Sequence, residues 1–280
     1  MRTRLFTLLI VLAFLSSCGE YQQLLKSSDF DLKKDKAKEY YEEGRYVRTT
    51  ELLTQIMPRF RASQESEALE WMNAMAFYGM RDYITAGSYF KSYTDQFGYG
   101  EHIEEAYFMA AMCDYHLSPK PELDQSYTRS AIEGFTYFLN RYPDNPRADE
   151  CRRYITECEE KLTEKSYLSA RLYYDMTEYK AAVVALTNNL KDHADSKYRE
   201  EMMFLRLSSL FLYAENSMAS RQTERYQETL DDYYSFVEEF PDSRFIKDAS
   251  RIYVSTSRAL NLEPVMDEEE LADKTEITKK

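Results

Sequence analysis

Apolar residues recur at steps of three and four along most of the chain, the period that lines one face of an α-helix. Ala148, Cys151, Ile155, Cys158 and Leu162 form one such stripe. The pattern predicts long helices over Pro146 to Leu162, Lys165 to Met176 and Lys197 to Asn216. Five stretches also share a motif. The first reads Tyr40-Tyr41-x-x-Gly44-Arg45-Tyr46-x-x-Thr49-x-x-x-Leu53-x-x-Ile56, the second Tyr78-x-x-x-Asp82-Tyr83-x-x-Ala86-x-x-x-Phe90-x-x-Tyr93. The others are Ala131-x-x-x-Phe135-x-x-Phe138-x-x-x-Tyr142-Pro143, Tyr173-Tyr174-x-x-x-x-Tyr179-x-x-Ala182-x-x-x-Leu186 and Thr229-x-x-x-Tyr233-x-x-Phe236-x-x-x-Phe240-Pro241. Gly98-Tyr99-Gly100 reads as a turn between the second and third stretches. Ser118 to Gln125, with two prolines in four residues, reads as an extended link.

A small residue at Thr49, Ala86, Ala131, Ala182 and Thr229 lets two helices cross closely, and larger apolar groups one turn later fill the space beside it. This resembles the tetratricopeptide repeat. The small positions lie 37, 45, 51 and 47 residues apart, against about 34 in the common repeat, so these repeats are extended. The implied fold is all-α, a right-handed solenoid of about five tetratricopeptide-like helical hairpins. Asp144-Asn145 and Asp242-Ser243 stand where new helices should start, as N-cap chemistry prefers.

Composition agrees. Seven Gly and seven Pro among 280 residues leave few breakers, while 25 Tyr and 15 Phe supply bulky apolar groups. Lys and Arg number 36 against 49 Asp and Glu, a net charge of −13. An acidic chain lacks the dense cationic face that phosphate neutralisation requires, so nucleic acid is not an expected partner.

The N-terminus has its own pattern. Arg2 and Arg4 precede an apolar run from Leu5 to Leu15, broken by Thr7 and followed by Leu15-Ser16-Ser17-Cys18. This is a secretory signal over residues 1–17, too short for a transmembrane span. Small residues directly before a Cys resemble the bacterial lipobox, which implies a lipidated Cys18 as the mature N-terminus. Gly19 rather than Asp after it implies sorting to the outer membrane. Residues 18–32 read as a tether that docks partly on the body, and the covalent lipid is the only prosthetic group expected. Residues 263–280 read as a charged tail.

Cys113, Cys151 and Cys158 remain. Cys151 and Cys158 are about 10.5 Å apart by helical rise, too far to bridge. They read as core residues, with a Cys113 bridge to one of them as the other reading. His102, His116 and His193 have no paired Cys at ligand spacing, so no metal is expected. Adjacent acids such as Glu42-Glu43, Glu104-Glu105 and Asp231-Asp232 diverge by about 100° on a helix and describe solvated faces. No nucleophile elbow, zinc-protease motif or phosphate loop occurs, and the chain does not read as an enzyme.

The combination of lipobox, short tether and extended repeats is similar to the BamD-type family of outer-membrane β-barrel assembly lipoproteins. Tyr107 to Ser118, the Phe138-Leu139-Asn140-Arg141-Tyr142-Pro143 helix end, Lys165 to Tyr174, Tyr179 to Val184 and the Phe240-Pro241-Asp242-Ser243 step carry the resemblance. It implies a non-enzymatic scaffold on the periplasmic face of the outer membrane. Residues 33–162 (repeats 1–3) would recognise targeting segments of unfolded outer-membrane proteins. Residues 163–262 (repeats 4–5) would dock on the POTRA domains of a BamA-like barrel, beside other assembly lipoproteins. The resemblance places an extended peptide near Trp71, Phe77, Tyr78 and Tyr107, although their spacing alone favours hairpin core. Arg141, Arg147, Arg152 and Arg153 are expected to meet a partner, or else form a solvated helix face. Two other readings stay open at this point: a helical-repeat, glycan-binding surface lipoprotein, and a generic periplasmic adaptor.

Overall fold

The computed structural model describes residues 20–61 and 63–264. The signal segment and Cys18 lie outside the described residues, as does the tail from residue 265 onward. The described residues form eleven labelled α-helices and a short helical segment over 20–26. The helices are α1 (Phe30–Glu42), α2 (Tyr46–Phe60), α3 (Ser66–Gly79), α4 (Tyr83–Gln96), α5 (Ile103–Leu117), α6 (Ser126–Arg141), α7 (Ala148–Asp175), α8 (Tyr179–Asp192), α9 (Arg199–Glu215), α10 (Ala219–Glu239) and α11 (Ile246–Ala259). They pair as five hairpins, with α11 closing the series. The all-α, helical-repeat reading holds.

Turn chemistry repeats with the motif. At the α1–α2 turn Gly44 takes φ +72, and the amides of Gly44 and Arg45 donate to the carbonyls of Tyr41 and Tyr40. Arg81 and Thr177 adopt φ 61 at the equivalent turns of the second and fourth hairpins. Arg81 and Asp82 donate to Tyr78 and Phe77; Thr177 and Glu178 donate to Tyr174 and Tyr173. A left-handed residue with this bond pair ends a helix and satisfies its last carbonyls. Asp29 caps α1 by accepting from the Leu32 amide at 2.9 Å, and Asp82 caps α4 by accepting from the Thr85 amide at 3.2 Å. Asn145 and Ser243 accept from the amides of Arg147 and Phe245, which bears out the expected starts of α7 and α11.

The chain divides into two compact units. Unit 1 runs to Pro119 and resumes over Gln125–Cys158; unit 2 takes Lys120–Asp124 and resumes at Glu159. In unit 1, α1 to α6 pack in chain order, each on the next. One core gathers Leu52, Leu53, Ile56 and Leu69 with Tyr21; another gathers Phe90, Tyr93, Phe108, Phe135 and Phe138 with Cys113, Cys151 and Cys158. The three cysteines are buried thiols, so the bridge reading fails. Burial pushes Cys113 up to about 12 and Cys151 up to about 11. The tether docks: Tyr21 packs edge-on against Tyr40 at 5.7 Å, and Arg48 lies 4.6 Å over its ring.

In unit 2, α9 packs on α8, α10 and α11 around Leu186, Met202, Leu207, Tyr233 and Phe236. The link at 120–124 belongs here because Lys165 Nζ donates to the carbonyls of Pro121, Glu122 and Leu123 at 3.3, 3.3 and 2.7 Å. Between α9 and α10, Arg206 donates to the buried Asp232. Burial raises the Asp232 carboxyl above the usual range, against the pull of Arg206. Arg206 Nε and Asp232 Oδ2 have no hydrogen-bond partner, so the pair is incompletely satisfied.

One element differs from expectation. Separate helices over Pro146–Leu162 and Lys165–Met176 are replaced by the continuous 28-residue α7. The junction Leu162-Thr163-Glu164-Lys165 contains neither Gly nor Pro, and Glu, Lys and Leu favour helix, so nothing breaks the backbone there.

Thr177, a β-branched residue in the left-handed region, is a strained site. Thr177→Gly should stabilise the protein by about 1 kcal/mol, read as a raised urea midpoint. Asp232→Ala should cost about 3 kcal/mol because it strands Arg206, whereas Arg206→Met with Asp232→Leu should come out near neutral. A double variant as unstable as the single one would show that the pair itself stabilises the α9–α10 contact.

Candidate functional site

Aromatic side chains outside the deepest core concentrate in unit 1. Trp71 on α3 stacks on His102 at 4.5 Å and 17°, and meets Phe90 and Tyr93 at 5.5 and 5.6 Å. A polar cluster beside it ties the α4–α5 turn to α3 and α4. Tyr93 Oη donates to Glu67 Oε1 at 2.6 Å, the Glu101 amide donates to the same oxygen at 2.6 Å, and the His102 amide donates to Tyr93 Oη at 3.2 Å. Burial first, then the bond to Glu67, raise the Tyr93 phenol far above its ordinary value. A Cβ at Gly100 would sit 2.5 Å from Glu67 Oε1 and 2.8 Å from Tyr93 Oη, so these hydrogen-bonded side-chain tips would have to move aside.

Next to this turn lies a cleft of about 350 Å³ lined by Gly100 to Glu105, Phe108, Phe138, Asn145 and Arg147. Arg147 pairs with Glu105 at 2.9 Å and lies 4.3 Å over the Phe108 ring. Asn145 Nδ2 donates to Glu104 Oε2 at 2.8 Å. These contacts tie the start of α7 to the start of α5.

The four residues expected at a peptide site do not form one contact set. Trp71 faces His102, while Phe77 stacks on Tyr89 at 5.3 Å. Tyr78 Oη and His116 Nε2 share a hydrogen bond of 3.0 Å, and His116 stacks on Tyr83 at 4.4 Å. Burial, then the charge of Arg81, lower the His116 pKa, which favours the neutral ring. Tyr107 meets Tyr137 at 4.9 Å and Tyr142 at 6.3 Å. Its phenol is pushed up to about 12, first by the hydrogen bond with Tyr137 and then by burial. Trp71 and Tyr78 do share Phe90 as a neighbour. All four are partly buried against the unit 1 core.

The arginines separate as well. Arg147 is held by Glu105 and Phe108, and Arg141 lies 6.0 Å over Tyr142. Arg152 and Arg153 are exposed and pair only along α7, with Asp149 at 2.7 Å and with Glu150 and Glu157 at 3.9 and 3.8 Å. Of the tyrosines outside the motif, Tyr198 stacks on Tyr167 at 4.4 Å, Tyr127 is exposed, and Tyr99 at the α4–α5 turn is fully exposed. Sequence reasoning missed the places of His102 and Phe108 here, the bond from Asn145 to Glu104 and the role of Gly100. No periodic signal marks a histidine stacked on a distant tryptophan or a close approach to a distant carboxylate.

A family model described as YfiO, outer membrane lipoprotein, matches residues 34–183 and 166–260. The chain belongs to the YfiO outer membrane lipoprotein family. This is the BamD-type family whose resemblance the motifs carry. A solved structure, the TPR2AB-domain:pHSP90-complex of yeast Sti1, aligns with TM-score 0.39 and 14% identity over 83% of this chain and 84% of that one. No curated protein matches the sequence. The described part of this YfiO-family chain has no helix long and apolar enough to cross a membrane. Nor does it place three or more His, Cys, Asp or Glu side chains where they could hold a metal ion.

Gly100→Ala should push Glu67 and Tyr93 apart and cost about 1–3 kcal/mol. Trp71 is the single tryptophan, so a red shift of its emission together with a lower urea midpoint would report the loosened turn. An unchanged emission spectrum would show that the turn tolerates the methyl group.

Proposed function

We propose that this YfiO-family lipoprotein is a non-enzymatic scaffold of outer-membrane β-barrel assembly, held on the periplasmic face of the membrane by a lipidated Cys18. The family match over most of the described chain carries the reading. Unit 1 receives extended, aromatic-bearing segments of unfolded outer-membrane proteins. Its cleft beside Phe108 and Phe138, with Trp71 stacked on the lining residue His102 and with Tyr107 and the exposed Tyr99 and Tyr137 next in sequence to lining residues, supports this role. Rigid amphipathic rings suit such ligands, because stacking and backbone hydrogen bonds tolerate varied sequences.

The second task is docking on the POTRA domains of a BamA-like barrel, alongside other assembly lipoproteins. Among the arginines, Arg152 and Arg153 fit this task best, since their carboxylate partners lie on their own exposed helix face and such pairs contribute little. Charges of this kind steer encounter and fix register. The barrel-like partner then supplies the membrane insertion that a helical scaffold lacks.

Mild-detergent affinity capture of the tagged protein from its own envelope should recover a barrel protein with POTRA repeats. Arg152→Glu with Arg153→Glu should lower that recovery about tenfold, the effect of roughly 1.4 kcal/mol. Recovery of a transporter with glycan-binding lipoproteins, and no assembly barrel, would defeat the assembly role. For unit 1, titration with a peptide ending in an aromatic residue should shift Trp71 emission, and Phe138→Ala, checked for folding, should weaken binding. Binding with no change in Trp71 emission would move the peptide away from this face.

A further inference from the structure

Arg48, in the first turn of α2, is a half-buried cation without an anion. Its guanidinium lies 4.6 Å over the ring of Tyr21 and 5.4 Å over that of Tyr40, so two aromatic faces hold it, one from the segment at 20–26 and one from α1. Among the described residues no carboxylate pairs with it and no acceptor takes a hydrogen bond from it. The nearest acid in sequence, Glu51, accepts instead from Tyr21 Oη. The five N–H donors of Arg48 are therefore open to solvent or to a ligand. Arg45 lies 5.7 Å over the same Tyr40 ring and pairs with Glu43 at 3.0 Å. Both members of that pair are exposed, so it contributes little and leaves Arg45 able to serve a stronger anion.

The two arginines share a pocket of about 300 Å³ with Gly44, Tyr46, Val47 and Met80. Its other side chains are largely apolar. Tyr46 packs directly on Gly79, where a Cβ would collide with its ring, and Val47 is 60% exposed. Guanidinium groups match the paired oxygens of a phosphate, and a free phosphate has no use for the apolar wall. Cations and an apolar wall in one pocket fit a phospholipid, whose phosphate adjoins glycerol and acyl carbons. The place in the chain fits as well. Tyr21 follows Cys18 by three residues, at most about 11 Å of chain. On the proposed lipidation of Cys18, the pocket is within reach of the membrane surface. Nearness to the membrane rests on that reading; the phosphate site rests on Arg45 and Arg48.

We propose that Arg45 and Arg48 bind the phosphate of a membrane phospholipid, with Val47 and Met80 against the start of its acyl chains. A chain carrying −13 is repelled by anionic headgroups over most of its surface, so a local pair of cations decides where it can approach them. The bound lipid then fixes the first hairpin at headgroup level. A lipid anchor alone sets how far the protein can stray from the membrane; this site sets which face of the first hairpin meets it.

Native mass spectrometry of the full chain, released from nonionic-detergent micelles doped with phosphatidylglycerol, tests this. The mass of the protein itself reports whether Cys18 is lipidated, separately from any phospholipid that stays bound. One phosphatidylglycerol should remain bound, and Arg45→Gln with Arg48→Gln should weaken its binding about tenfold, as the loss of charge-assisted hydrogen bonds requires. Because Arg48→Gln also removes the contact with Tyr21, Val47→Asp supplies a second variant at an exposed side chain. An acid in the first turn suits the helix but repels the phosphate, and should cause a similar loss. Binding unchanged in both variants overturns the proposal, whatever the state of Cys18. Displacement of the phospholipid by excess inorganic phosphate assigns the pocket to a free anion and overturns it as well. A chain without lipid on Cys18 that still binds one phosphatidylglycerol, lost in both variants, upholds the site and defeats the anchor reading instead.

Discussion

Two helices can lie against each other only as closely as the side chains between them allow, and the second helix of each hairpin places a small residue among its larger core groups. Thr49, Ala86, Ala131, Ala182 and Thr229 are all completely buried. In the third hairpin the helices come close enough that a Cβ added at Gly134 would lie 2.8 Å from Ala111 Cβ. Everything larger is arranged around these points. Phe90, Phe135 and Phe138 fill the space one or two turns on, and Leu53, Leu186 and Tyr233 do the same in the other hairpins. A bulkier residue at any crossing would force the hairpin open and strand the aromatics that depend on it.

Tyrosine does more here than fill volume. Tyr93 donates to Glu67, Tyr115 to Glu157 and Tyr21 to Glu51, each joining one helical segment to another. Burial and the carboxylate acceptor raise all three phenols above their ordinary range. A raised phenol holds its proton more firmly when folded, so its contribution is complete below the ordinary tyrosine value and fades only as pH climbs through the folded one. Each such tie needs a carboxylate acceptor, which gives part of the acidic excess a structural use.

Much of this was legible in the residues. The small positions and their aromatic followers located all five hairpins, because helix crossing imposes both size and period. The starts at Asn145 and Ser243 were legible because capping uses few residue types. Turns at Arg81 and Thr177 were not, since the left-handed conformation is ordinarily announced by glycine and only Gly44 obeys. The continuity of α7 was hidden because an apolar stripe changes side where a helix passes from one core to another, which looks like a break. In unit 1, Trp71 and Tyr107 stood out as aromatic, but their partners did not. The stack on His102 and the close approach of Gly100 to Glu67 arise between residues some thirty positions apart, and no local spacing encodes them.

The burial of Cys113, Cys151 and Cys158 sets a race during biogenesis. Closed hairpins hide all three sulfurs, and elevated thiol pKa values keep Cys113 and Cys151 unreactive. A still extended chain has no such protection and offers an oxidant these three sulfurs, of which at most two can pair with each other. Rapid collapse of unit 1, where all three reside, decides whether the chain matures cleanly or is trapped with a wrong cross-link. The predominance of local, hairpin-by-hairpin contacts favours that outcome, because chains whose contacts are close in sequence fold fast.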